Sequence, residues 1–341
     1  MFKKAGNIII LGLILVGFAM FQSCNKKDPG TIKSNDSQEL IKTDNIGQKV
    51  DLKLKPKAGD IFRYKMVKSS KESASDKDKK EDKISQEQTE TYYYSLEVND
   101  VSESGVVTFK MKYDSINIIV KYSEKDTSVT QYYNSNIKDS IYSKHDFLIY
   151  NNMIGNTFKI RVGSNNEYLE AYELETIYDK LFKELGDTLT AQTKDLVKDN
   201  LKSSLKDVLA GQFQEFPKNE VYKDSVWSIS KTSDNPPFRF KNIINYKISD
   251  IKKENNSDII TVDGKLVIEF IDKEYKTKEG AMKISDIDAG GQGVLNFNLS
   301  RGCVVKKETN QSIKMTANIT SKGKSVNTLR ETSLSLKIDL L

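Results

Sequence analysis

Near its C-terminus the chain alternates apolar and polar residues with a period of two. Leu295, Phe297 and Leu299 share one parity, as do Ile313, Met315, Ala317 and Ile319, and then Leu334, Leu336, Ile338 and Leu340, with Arg301-Gly302 as a turn after the first run. Side chains of a strand point alternately to opposite faces, so each run has one apolar and one polar side. Antiparallel sheets that cover a single core carry this alternation. A chain built this way must be mostly β, and any helix it contains must bury its apolar stripe on the sheet.

The same logic orders the upstream residues. Leu52 and Leu54 alternate, residues 56–60 turn, and residues 61–67 begin a strand. Residues 68–90 are rich in Lys, Asp, Glu and Ser and read as a solvated or partly disordered hairpin end. Two β-branched and aromatic segments, 91–101 and 106–122, follow on either side of a turn at 102–105. In the second, Val107, Phe109, Met111 and Tyr113 share a face, but Ile116, Ile118, Val120 and Tyr122 have the other parity. That phase change at Asp114-Ser115 predicts a bulge, a bend or a break. Residues 156–162 and 167–172 flank the turn Gly163-Ser164-Asn165-Asn166.

The period then switches. Leu174, Ile177, Tyr178, Leu181, Phe182 and Leu185 predict a helix ended by Gly186, and Leu196, Val197, Leu201, Leu205, Val208 and Leu209 predict a second from about Thr190 to Gly211, with Pro217 beyond it. Strands resume at 220–230, around the single tryptophan Trp227, and at 238–251 and 259–270. Gly290-Gly291-Gln292-Gly293 precedes a strand and lacks a Gly-Lys-Ser/Thr ending, so it reads as a hairpin or bulge cluster and not as a phosphate loop. The expected fold is β-dominated α+β, with long curved antiparallel sheets forming an open or half barrel, as one unit or two lobes. Two amphipathic helices inserted within 173–213 cover it. The β-rich part spans 48–341, with β halves at 48–164 and 215–341. Two short stretches match across those halves: Gly59-Asp60-Ile61-Phe62 with Asp224-Ser225-Val226-Trp227, and Val98-Asn99-Asp100-Val101 with Ile248-Ser249-Asp250-Ile251.

The N-terminus supplies an address. Lys3 and Lys4 precede an apolar run over 8–21, too short for a comfortable span, so 1–23 reads as a secretory signal. Phe21-Gln22-Ser23-Cys24 resembles the lipobox of bacterial lipoproteins. That resemblance implies acylation of Cys24 and a membrane anchor, with residues 24–47 as a flexible tether. Asn25 after the cysteine favours the outer membrane by the same resemblance, and Lys26-Lys27-Asp28 is similar to a surface-export signal. With 53 basic and 48 acidic residues interspersed there is no basic stripe, which argues against nucleic acid as a partner.

Lys57-Ala58-Gly59-Asp60, Tyr133-Asn134-Ser135, Gly155 before Phe158, Pro217 with Val221, and Asp224-Ser225-Val226-Trp227 carry a wider likeness, joined by Gly293, Phe297 and Gly302. On these residues the chain resembles an uncharacterised family of secreted bacterial lipoproteins, in which Asp224 replaces a usual glycine and Asn134 a usual aspartate. The resemblance implies no activity. In layout alone the chain is similar to half-barrel lipoprotein and lipid carriers.

Catalytic chemistry is sparse. His145 is the sole histidine, which removes multi-histidine metal sites, and Cys303, paired with nothing once Cys24 is acylated, reads as a quiet thiol. No cofactor and no metal site are expected. Tyr92, Tyr93 and Tyr94 form an aromatic run in one strand. Tyr92 and Tyr94, with Tyr178, Phe182 and Trp227, are the candidate ligand contacts. The expected function is a non-enzymatic, lipid-anchored envelope protein that holds an amphiphile or a partner between sheet and helices. The alternative is a structural or interaction component of an outer-membrane or surface assembly.

Overall fold

The computed structural model describes residues 41–44, 47–77, 83–137, 147–186, 189–233, 238–254, 257–277, 280–321 and 324–341. The expected signal segment, Cys24, most of the tether and His145 lie outside the described residues.

In chain order the strands are β1 (Ile41–Thr43), β2 (Gln48–Val50), β3 (Ile61–Asp76), β4 (Ile84–Val101), β5 (Val107–Glu124), β6 (Thr127–Asn134), β7 (Thr157–Val162), β8 (Tyr168–Tyr172), β9 (Val221–Tyr222), β10 (Val226–Ser233), β11 (Phe240–Glu254), β12 (Ser257–Phe270), β13 (Glu274–Lys276), β14 (Gly280–Asn298), β15 (Cys303–Ser321) and β16 (Lys324–Leu340). The helices among the described residues are α1 (Leu148–Met153), α2 (Glu175–Leu185) and α3 (Ala191–Gln212). Among the described residues thirteen strands make one open sheet in the order β10-β11-β12-β14-β15-β16-β3-β4-β5-β7-β8, with β13 beside β14 and β6 beside β5, while β1, β2 and β9 make a small second sheet. The fold is β-dominated α+β, as the alternation requires. It is not two lobes, because the C-terminal β16 pairs with the N-terminal β3 and one apolar core runs from Tyr64 and Tyr94 to Tyr246 and Phe297.

The phase change in β5 is a bulge. Tyr93 pairs with Ser115 and Tyr94 with Tyr113, so Asp114 is left over and both apolar parities reach the same core. Other expectations are corrected. Residues 68–76 and 84–90, read as a solvated or partly disordered hairpin end, continue the paired strands β3 and β4: Lys71 and Glu87 pair at 2.6 Å on the wet face, while Lys68 and the buried Glu90 pair at 3.5 Å on the inward parity. The tether stops earlier than residue 47, since β1 already pairs with β2. The glycines at 290, 291 and 293 lie inside β14, paired with β15, and not in a hairpin. Leu196, placed on the apolar stripe of α3, is exposed; Leu201, Leu205 and Leu209 are the buried row. α1 had no counterpart in the sequence reading.

The two matched stretches have the same geometry. The Gly59 amide donates to Val98 O at 2.8 Å and the Asp224 amide to Ile248 O at 2.9 Å; both donors sit at positive φ, +88° and +66°. Asp60 and Ser225 each accept at the side chain from an amide three residues back, Lys57 and Tyr222, at 2.8 Å. The register shifts at Asn99 in one partner strand and at Ser249 in the other. Asp224 therefore occupies a left-handed backbone position, as Gly59 does.

Gly302 combines positive φ with contact: an added Cβ would sit 2.5 Å from the Lys55 backbone nitrogen, whereas Gly59, also at positive φ, has open space. Gly59→Ala is expected to cost about 1–2 kcal/mol, from the left-handed backbone alone. Gly302→Ala should cost distinctly more, about 3 kcal/mol or above, because the Lys55 backbone must also move. Denaturant titration of both variants checks this; equal costs would contradict it.

Candidate functional site

β8 and β10 lie at opposite ends of the large sheet, yet the chain must pass from one to the other. It does so through α2, α3 and the extended residues 213–216, which cross the apolar face. α2 starts with Leu174 buried, ends at Gly186, and buries Ile177, Tyr178 and Leu181. Thr190 caps α3 by accepting from the Thr193 amide at 3.2 Å. The last turn of α3 and residues beyond it, including Gln212, Phe213, Gln214 and Phe216, are buried on the sheet. Phe213 meets Phe109 and Phe216 meets Phe297, with ring centroids 6.0 and 5.0 Å apart.

Polar groups tie this crossing segment down. The Lys307 ammonium, projecting from β15, donates to Gly211 O at 2.8 Å, and Tyr94 Oη donates to Gln212 Oε1 at 2.6 Å. Asn166 Nδ2 donates to Gln214 O and the Phe216 amide to Asn165 O, both at 2.8 Å. Tyr64 Oη donates to Val304 O at 3.0 Å beside it. Burial pushes the Tyr64, Tyr92, Tyr94 and Tyr113 hydroxyls well above the usual tyrosine range, so all four stay neutral, and the first three donate hydrogen bonds. Burial drives Lys307 the other way, down to about 7.

Residues 211–216 thus lie in the space between sheet and helices where a ligand is expected. What remains under Gln214 is a cavity of about 40 Å³ bordered by Tyr246, Gly264, Gly293, Leu295 and Lys307. A water needs about 10–15 Å³ on the same measure, and a cavity that takes up benzene is nearer 150 Å³. On the opposite, polar face a shallow groove of about 780 Å³ is lined by short hydroxyl and amide side chains such as Ser69, Thr89, Asn310 and Ser333.

The five candidate ligand contacts fall in three places. Tyr92 and Tyr94 face inward and are buried against Tyr113; Tyr93 is the member of that run on the other face, under Lys65. Tyr178 and Phe182 stack on each other along α2, under Lys198. Trp227 stacks on Tyr246 at the β10 edge. Cys303 is buried, and its thiol is raised to about 11 by that burial. Sequence reasoning missed Lys307, although its signal was present: it shares parity with Ile313 in the alternating run, so it had to point inward.

Exposed large apolar residues are spread over many elements among the described residues, from Ile61 to Val326, and four of them lie on one hairpin as cross-strand pairs. Ile119 is paired with Tyr132, and Tyr122 with Val129, across β5 and β6; they are 46 %, 53 %, 45 % and 55 % exposed. The first pair lies on one face of the hairpin and the second on the other. No helix among the described residues is long and apolar enough to cross a membrane.

A model described as a family of unknown function (DUF6263) matches residues 104–304. No curated protein matches the sequence. Among solved structures, one titled for lipid–protein interactions in lipovitellin aligns at 9 % identity and TM-score 0.41, covering 84 % of this chain and 25 % of that one. The transport unit of the autotransporter AIDA-I from Escherichia coli aligns at 10 % identity and TM-score 0.20, covering 82 % and 90 %. OccK7 from Pseudomonas aeruginosa aligns at 5 % identity and TM-score 0.23, covering 83 % and 100 %. The chain spans about a quarter of the lipovitellin chain it aligns with.

Lys307 makes stability depend on pH. Its folded pKa of about 7 lies below the ordinary 10.5, so between those values the unfolded chain holds more protons. Stability therefore rises with pH across that window, by up to about 1.4 kcal/mol per unit, and this group adds no slope below it. Denaturation between about pH 7.5 and 9.5, below the tyrosine range, should show that slope in the native chain and lose it in Lys307→Met. Parallel slopes in the two proteins would contradict the burial of this ammonium.

Proposed function

This chain belongs to the family of unknown function whose model spans residues 104–304, and since membership supplies no activity, we propose that it is a non-enzymatic component of a cell-envelope assembly, lipid-anchored at Cys24, which makes its contacts through the β5–β6 hairpin. The observation that carries this reading is a contrast of surfaces. The apolar interior is occupied by the chain's own residues 211–216, while four large apolar side chains stand exposed, as cross-strand pairs, on both faces of one hairpin. Scattered exposed apolar residues are ordinary, but contiguous ones mark contacts. The buried polar groups Lys307, Tyr94 and Asn166 are engaged in holding backbone and amide oxygens of the crossing segment, which favours structure over chemistry. The lipid anchor and outer-membrane address rest on the N-terminal sequence. A second reading, an amphiphile between sheet and helices, draws on the small cavity under Gln214 and requires residues 211–216 to move aside.

Native electrophoresis of detergent-solubilised envelopes tests the first reading. The full chain is expected in a complex larger than one chain, and the double variant Ile119→Ser, Tyr132→Ser should migrate alone with unchanged circular dichroism. A chain that migrates alone in both forms and retains a lipid in native mass spectrometry would replace this reading with the second.

A further inference from the structure

We propose that the partner of the hairpin is a second copy of this chain, joined edge to edge along β6 by a two-fold axis through Thr130; this rests on the hairpin being the contact surface. β5 is longer than either neighbour on that side: β7 pairs with its residues 107–112 and β6 with 117–124. Among the described residues β6 has no second strand partner.

The register says which backbone groups are free for one. A two-residue turn, Lys125-Asp126, joins Glu124 to its partner Thr127, and further along the same register the Ser135 amide donates to Ile116 O at 3.0 Å. Residues directly opposite in an antiparallel pair alternate between exchanging hydrogen bonds and not. Odd-numbered residues of β6 therefore bond to β5, and Ser128, Thr130 and Tyr132 aim both amide and carbonyl at the open edge. Asn134 closes the set, since its carbonyl already accepts from the Ile137 amide at 3.0 Å. A rotation about Thr130 brings Ser128 opposite Tyr132 of the second copy and Thr130 opposite itself, so every free donor of the set meets a free acceptor.

Composition points the same way. Strands at a sheet border are ordinarily guarded by charge or proline. β8 carries Glu170, β10 carries Lys231, and β13 carries Glu274 and Lys276, but β6 has neither charge nor proline in Thr127–Asn134. A foreign strand could satisfy the backbone, yet β6 has no charge with which to select one. Its own copy meets it without like-charge repulsion and adds a neighbouring strand beside exposed Val129 and Tyr132, leaving cross-strand contacts on both faces.

Oxidative cross-linking of the full chain in its own membranes tests this. Hydrogen-bonded antiparallel partners have Cα atoms about 5.5 Å apart, within disulfide reach. Thr130→Cys should give a disulfide dimer of twice the chain mass. Lys121→Cys, the register partner of Thr130 one strand further in, should give none. Thr130→Pro removes an amide that bonds nothing among the described residues, so the fold should survive while sedimentation in detergent shifts from dimer to monomer. A Thr130→Cys chain that stays monomeric, or that cross-links only to a different protein, overturns the proposal. In that second case, or if the native complex still depends on Ile119 and Tyr132, the hairpin remains the contact and only the second copy is lost.

Discussion

A chain that leaves a wide open sheet at one border and must re-enter it at the other has to cross an apolar face, and the rest of this structure follows from how that crossing is made. β8 and β10 are the two borders, and α2, α3 and residues 213–216 bridge them. Had the crossing run over the polar face, the inward rows from Tyr64 and Tyr94 to Tyr246 would face water. Laid on the apolar face, it brings Leu201, Leu205, Leu209, Phe213 and Phe216 into the same core, each burial favourable by about 1.5–3 kcal/mol.

The difficulty in such a crossing is its backbone. The last carbonyls of a helix lack intrahelical partners, and an unpaired buried carbonyl costs about 1–3 kcal/mol. Here the Gly211 carbonyl receives Lys307 and the Gln214 carbonyl receives Asn166, while the Gln212 side chain receives Tyr94. Burying the Lys307 ammonium is itself unfavourable, which is why its pKa falls. It also sits where a cation suits the negative end of α3. The interior polar groups therefore form a clamp on the crossing segment.

Much of this was legible in the sequence, for reasons that differ by element. Period-two runs predicted β14, β15 and β16, and parity alone predicted a bulge, a bend or a break at Asp114-Ser115, of which the register shows the bulge, because one misplaced residue would otherwise turn Ile116, Ile118 and Val120 out of the core. Helices α2 and α3 were legible from their threes and fours and from Gly186 and Thr190. Residues 68–90 misled, because alternation with serine and charge on one face and half-buried polar groups on the other carries little hydropathy contrast. The surroundings of the aromatic candidates were hidden for a related reason: Tyr92 and Tyr94 look like a platform in one dimension, and only the register puts Tyr113 and Tyr64 beside them in the core. The crossing segment was out of reach, since nothing local tells Phe213 and Phe216 that a sheet border lies ahead.

Amide hydrogen exchange along residues 209–216 tests the crossing most directly. If this segment is an integral part of the core, the amides of Phe213 and Phe216 exchange as slowly as those in the middle of β4 and β15, at the rate of global unfolding. Exchange at the rate of an exposed loop, with β4 and β15 still protected, would contradict the account, because the sheet would then hold together without the strap across it.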